Sequence, residues 1–107
     1  MVKVLFILHK LPDMDASTFR GYWKHTHGPL AAKLPGLLRY SQNHPYADPH
    51  GDPLPADGVD ELEFESIEAM QSALATPEGQ EMLADVRKFL DTERSGPIVI
   101  EEHFEVV

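Results

Sequence analysis

The sequence predicts an α+β fold in which four antiparallel strands are covered on one side by helices, in the order β-α-β-β-α-β. Three observations carry that expectation: an apolar run, Val4-Leu5-Phe6-Ile7-Leu8, near the start; an amphipathic, aromatic helical stretch through Phe19 and Trp23; and the alternation of Glu61-Leu62-Glu63-Phe64-Glu65. The 107 residues suit one domain spanning 1–107, with a core small enough that a partner copy would help to complete it.

Met1 to His9 is apolar on both parities, the pattern of a central strand, and Pro12-Asp13-Met14 ends it. Asp15 is placed to cap a helix running to about Lys33, which Pro35-Gly36 stops. Pro29 removes a hydrogen bond and is expected to kink this helix one turn before its end. At about 100° per residue Phe19, Trp23, Thr26, Leu30 and Leu34 share a face, with His27 at its margin beside Trp23 and His25 turned roughly the opposite way. Leu37 to His44 reads as a second strand, and Pro45 to Gly58 as a loop rich in proline, aspartate and glycine, a candidate lid. Val59 to Glu65 is the third strand. Ser66 can cap a short helix bearing Ile67, Met70 and Leu74, and Thr76-Pro77 restarts it with a stripe of Leu83, Val86 and Leu90. Gly96-Pro97 opens a last strand, Ile98 to Val107. Right-handed crossovers make this order a ferredoxin-like sandwich.

Strand parity turns Val4, Phe6, Leu8, Leu38, Tyr40, Leu62, Phe64, Ile98, Ile100 and Phe104 toward the helices. The other face carries Leu5, Ile7 and Val99 among Arg39, Glu61, Glu63, Glu101 and His103. An antiparallel sheet can leave such a face in water. A second copy laid sheet against sheet would instead bury the apolar patch and pair the charged rows, which is the expectation adopted.

Composition excludes several classes of function. There is no cysteine, hence no disulfide, thiolate nucleophile or cysteine-held metal. A net charge of -9 offers nothing to nucleic acid or to an anionic membrane, so neither is expected as a partner. No apolar run approaches the roughly 20 residues of a membrane span, and the first apolar run lacks a small-residue cleavage site, so a cytoplasmic location is expected. Asp48, His50 and Asp52 lie in a loop without fixed spacing, and His25 and His27 point apart on their helix, so no metal site is expected. Phosphate loops, a serine nucleophile elbow and dinucleotide fingerprints are missing.

Phe19, Tyr22-Trp23, His27, Pro29-Leu30, Pro35-Gly36-Leu37 and Tyr40 form a spaced pattern that continues through Asp57-Gly58-Val59, Glu61-Leu62, Phe64 and Ser66. Pro77-Glu78-Gly79, Phe89-Leu90-Asp91 and Glu101-Glu102-His103 extend it over nearly the whole chain. In this pattern the sequence resembles the EthD family of the dimeric α/β barrels. The resemblance implies two copies forming one dimeric α/β barrel, with a small-molecule cleft in each subunit between the helices and the sheet. It does not choose a reaction, because the superfamily holds isomerases, cofactor-free oxygenases, dehydratases and proteins of unknown role.

His27 belongs to the later turns of the first helix and Tyr40 to the start of the next strand, and the reversal at Pro35-Gly36 should bring them together at one end of the cleft. A neutral imidazole beside a phenol is a usable pair for proton transfer, the imidazole as base and the phenol as donor to a developing oxyanion. The alternatives are a histidine satisfied by a backbone carbonyl and a Tyr–His hydrogen bond that only satisfies two buried polar groups. Gln42 and His44 continue the parity of Tyr40 toward the cleft mouth, and with Phe6, Trp23 and Phe64 they are the expected substrate contacts.

The sequence therefore points to a cytoplasmic homodimer, without metal or organic cofactor, that acts on a small cyclic or aromatic metabolite by proton transfer, as an isomerase or as a cofactor-free oxygenase. The alternative is a non-catalytic binding or carrier protein using the same cleft. A heme-handling role is disfavoured by the lack of a basic pair for the propionates.

Overall fold

Strand β1 (Val2–Leu8) lies inside a four-stranded antiparallel sheet of order β2-β3-β1-β4, with β2 at Arg39–Asn43, β3 at Gly58–Phe64 and β4 at Gly96–Ile100. The computed structural model describes residues 1–107, and its sheet and helices form the expected ferredoxin-like sandwich. The apolar run that sequence periodicity placed at the centre is flanked by β3 on one side and β4 on the other, so both its edges are hydrogen-bonded.

Side-chain chemistry sets the helix boundaries. Helix α1 (Ala16–Tyr22) begins at Asp15, whose carboxylate accepts the Thr18 N–H at 2.7 Å. The chain then widens into a π turn, Trp23–His27, before α2 (Gly28–Ala31) carries Pro29 in its first turn. Pro29 has no N–H to give and its ring would crowd a carbonyl of the preceding turn, and the widened turn absorbs the conflict where sequence reading expects a kink. The extra residue in that turn also rotates the buried stripe. Phe19, Trp23, His27, Ala31 and Leu34 are buried, whereas Thr26, expected on that face, is exposed.

Helix α3 (Ile67–Ala75) starts on the Ser66 hydroxyl, which accepts from the Ala69 N–H. Helix α4 (Pro77–Asp85) starts on the Thr76 hydroxyl and runs into a 3₁₀ turn, Val86–Lys88. The caps expected at Asp15, Ser66 and Thr76 are all present.

Register corrects the expected faces of the last strand. Val4 pairs with Val99, Leu5 with Ile98 and Phe6 with Pro97, so Val99 and Pro97 face the helices and Ile98 and Ile100 face away. The apolar patch on the outer face is therefore Leu5, Ile7, Val59 and Ile98, flanked by Lys3 and Arg39 near Glu63. The strand ends at Ile100 instead of reaching Val107, and Phe104 is exposed rather than packed on the helices, as is Leu38.

The core is split. Val2, Ala31, Leu34, Phe64, Ala73 and Met82 make one cluster, and Leu8, Phe19, Trp23, Phe89 and Leu90 make the other. The two ends of β1 each serve one cluster. Between them, over Val4 and Phe6, the helices leave a cavity.

Candidate functional site

This cavity measures about 320 Å³, at the lower end of the range of small-molecule sites. Its wall is almost wholly apolar, with Val4, Phe6, Leu62 and Phe64 from the sheet and Ala31, Leu34, Met70, Leu74, Met82 and Val86 from the helices and the turns that follow them. Three polar side chains interrupt it: His27, Tyr40 and Asp60.

The π turn positions His27 at the cavity wall, where only 4% of the residue is exposed. Its Nδ1 lies 2.9 Å from Asp85 Oδ2, and Asp85 is itself buried at the end of α4. The Tyr22 hydroxyl donates to Asp85 Oδ1 at 2.6 Å, with Lys88 Nζ at 3.8 Å from the same oxygen. Burial pushes the Asp85 carboxyl up, but the hydrogen bonds of Tyr22 and His27 and the nearby Lys88 charge outweigh it and hold the group below its ordinary range. An ionised carboxylate only accepts, so His27 Nδ1 carries the proton. Burial lowers the pKa of His27, although Asp85 works in the opposite sense, so the ring is mainly neutral near pH 7. Nε2 is then a free lone pair at an apolar cavity. The dipole of the Nδ1–H···carboxylate pair orients it, as a second-sphere acid orients a catalytic imidazole.

Tyr40 reaches the same cavity from β2. Gln42 Nε2 donates to its hydroxyl at 2.8 Å and also to the Trp23 carbonyl at 2.9 Å, the carbonyl that accepts the Gly28 N–H across the π turn. Burial, followed by the charge of Asp60, raises the Tyr40 pKa, so the phenol stays protonated and can donate. No hydrogen bond joins Tyr40 to His27; they meet only through the cavity that both line.

The remaining expected contacts divide. Phe6 and Phe64 line the cavity. Trp23 stands behind it, 0% exposed, its indole N–H donating to Asp60 Oδ1 at 2.9 Å and its ring seated over Gly58, where any Cβ would strike the indole. Gln42 braces Tyr40 and the π turn. His44 stacks on the outer side of Trp23, with centroids 4.0 Å apart, and its Nε2 lies 2.9 Å from Gln42 Oε1. Gln42 and His44 border a separate, shallow depression with Pro45, Leu54 and Pro55. The loop read as a lid does not reach the main cavity: Pro45 accepts from Arg20, and Asp57 is tied to Leu8 and Lys10 at the end of β1. In that loop Asp48 accepts the N–H groups of His50 and Asp52, a turn rather than a set of ligands.

The model of the EthD domain matches residues 11–93. The chain belongs to the EthD family. A comparison with curated proteins finds no match. Among solved structures, an EthD family protein of Bacillus halodurans is 27% identical, with a TM-score of 0.79, over 96% of this chain and all of that one. A dimeric protein of unknown function and ferredoxin-like fold from Bacteroides fragilis has a TM-score of 0.69 at 13% identity, covering 94% of this chain and 95% of its own. SnoaB of Streptomyces nogalater, a cofactor-independent oxygenase, has a TM-score of 0.67 at 12% identity, covering 98% and 95%. These last two likenesses are likenesses of fold.

Two residues of this EthD domain's cavity region escaped the sequence reading, Asp60 and Asp85. Each breaks an apolar pattern. Asp60 shares the parity of Gly58, Leu62 and Phe64 on β3, and Asp85 sits on the stripe of Met82, Val86 and Phe89. A carboxylate at a core position is the signal that could have found them.

Proposed function

We propose that this EthD domain is a cofactor-free proton-transfer enzyme for small cyclic or aromatic metabolites, with His27 as base and Tyr40 as donor to the developing oxyanion. The observation that carries this reading is the His27–Asp85 pair, with Nε2 left open to an apolar cavity. Nε2 would take a proton from an acidic C–H or O–H of the substrate. The electron pair left behind would spread onto a carbonyl oxygen, where the Tyr40 phenol donates to it. Asp85 supports the imidazolium that results. Returning the proton to a different carbon completes an isomerisation, and the same stabilised carbanion is what a cofactor-free oxygenase exposes to dioxygen. The oxygenase SnoaB, of the same fold, makes that second outcome worth assaying. Phe6 and Phe64 would flank the ligand. We further propose a cytoplasmic homodimer joined through the outer sheet face, supported by the patch of Leu5, Ile7, Val59 and Ile98 and by the dimeric relative.

The test is a screen of lactones, phenols and quinone-type compounds, followed by substitution. His27→Ala should cost about 10²–10⁴ in turnover, and His25→Ala little. Tyr40→Phe should lose less, at most about 2.7–4 kcal/mol for one oxyanion donor. Equal turnover by wild type and His27→Ala would reject the base, and tight binding without turnover of any compound would make the domain a carrier.

A further inference from the structure

Asp60 is the one acidic side chain in the wall of the main cavity, and the proton transfer described above makes no use of it. It is 5% exposed. Trp23 Nε1 holds Oδ1 at 2.9 Å, the Tyr40 phenol lies beside the carboxyl, and no lysine or arginine pairs with it. Trp23 meets it from the helix, Tyr40 and Gln42 from β2 and Phe6 from β1, and His27, with the Asp85 carboxylate behind it, lines the same cavity. Nothing in that surround is a fixed cation. Burial therefore raises its pKa to about 7, against the smaller opposing effect of the Trp23 hydrogen bond and the neighbouring Tyr40 hydroxyl.

A second carboxylate entering this cavity would be stripped of water, find no counter-charge and meet Asp60 at close range. A neutral ligand meets no such penalty, and a carbonyl or ether oxygen can accept from the acid form of Asp60. We propose that Asp60 is a specificity residue that restricts the cavity to uncharged, oxygen-bearing ligands and rejects carboxylates. The proposal rests on the reading of the cavity as a small-molecule site, but not on His27 acting as a base.

Calorimetry with two probes of nearly equal shape tests it: 2-acetylnaphthalene, a neutral ketone, and 2-naphthoate. At pH 8 the wild-type protein should bind the ketone at least tenfold more tightly, and the ratio should shrink at least fivefold in Asp60→Asn, which keeps an oxygen for Trp23. In the wild type alone the ratio should grow from pH 6 to pH 8 as Asp60 ionises, a reading that stands even where the variant fails to fold. Trp23, the single tryptophan, bonds directly to Asp60, so its emission should change over the same pH range and do so in His27→Gln as well, but not in Asp60→Asn. A ratio near one, a ratio that survives Asp60→Asn or stays flat with pH, or no binding of the ketone overturns the proposal. Discrimination that persists in a His27→Ala protein without turnover would keep this assignment separate from that of the base.

Discussion

Asp85 Oδ2 and His27 Nδ1 lie 2.9 Å apart although the residues are 58 positions apart in the chain. The contact joins the end of α4 to the π turn and fixes which nitrogen of the imidazole is free. Asp85→Asn keeps the volume but removes the charge, and its amide can donate to Nδ1, forcing the proton onto Nε2. With the proposed substrates, turnover should fall by roughly 10²–10⁴ with little change in KM. The acid limb of the pH–rate profile should move to lower pH in residual activity, because the charge that favours the imidazolium is gone. An unchanged profile would separate Asp85 from the chemistry.

Asp60 makes stability depend on pH in an unusual direction. Its folded pKa is raised from 3.8 to about 7, so between those values the folded protein holds a proton that the unfolded chain has lost. Stability from this group is thus present at low pH and is lost as pH rises through that window. At about 1.36 kcal/mol per unit, the loss is on the order of 4 kcal/mol. Denaturant unfolding of Asp60→Asn and wild type at pH 5 and pH 8 should show the variant gaining on the wild type at the higher pH. A constant difference would contradict the buried, titrating carboxyl.

His27 contributes with the opposite sign. Its folded pKa lies below 6.5, so the unfolded chain binds the extra proton first and stability is lost as pH falls through the window below 6.5. Titration of the imidazole signals by NMR should give His27 a midpoint below the ordinary imidazole value of 6.5. A His27 midpoint above 6.5 would mean that Asp85 outweighs burial.

Gly58→Ala tests the packing behind the site. A Cβ at Gly58 points into the six-membered ring of Trp23, which is 0% exposed and has no room to retreat. Overpacking of this kind costs about 1–3 kcal/mol, and here it also displaces the donor to Asp60. Urea unfolding should report the loss. Gly21→Ala, where the added carbon meets nothing within 4 Å, is the control.

Ile7→Lys addresses assembly. Ile7 pairs with Val59 on the outer face beside Leu5 and Ile98, and a charge there would be stranded in a sheet-to-sheet interface. Sedimentation should show the wild type as a dimer at micromolar concentration and the variant shifted toward the 12.0 kDa monomer, with its circular dichroism preserved. A wild-type monomer would remove the dimer from the proposal.

The order of elements, the caps at Asp15, Ser66 and Thr76 and the inward parity of Phe6, Leu62 and Phe64 were legible in the sequence, because each depends on residues close in the chain or on period alone. The facing of β4 was not. Ile98, Val99 and Ile100 are all apolar, so their alternation carries no sign, and only pairing to β1 decides that Val99 lines the cavity. The burial of His27 was half legible, since ideal helical phase puts it at the margin of the stripe and the π turn before Pro29 brings it fully in. The partners of the polar groups belonged to tertiary structure alone. Asp85 meets His27 because α4 packs against the π turn, and Asp60 meets Trp23 because the helix packs on the sheet, and no local pattern encodes a contact between elements so far apart in sequence.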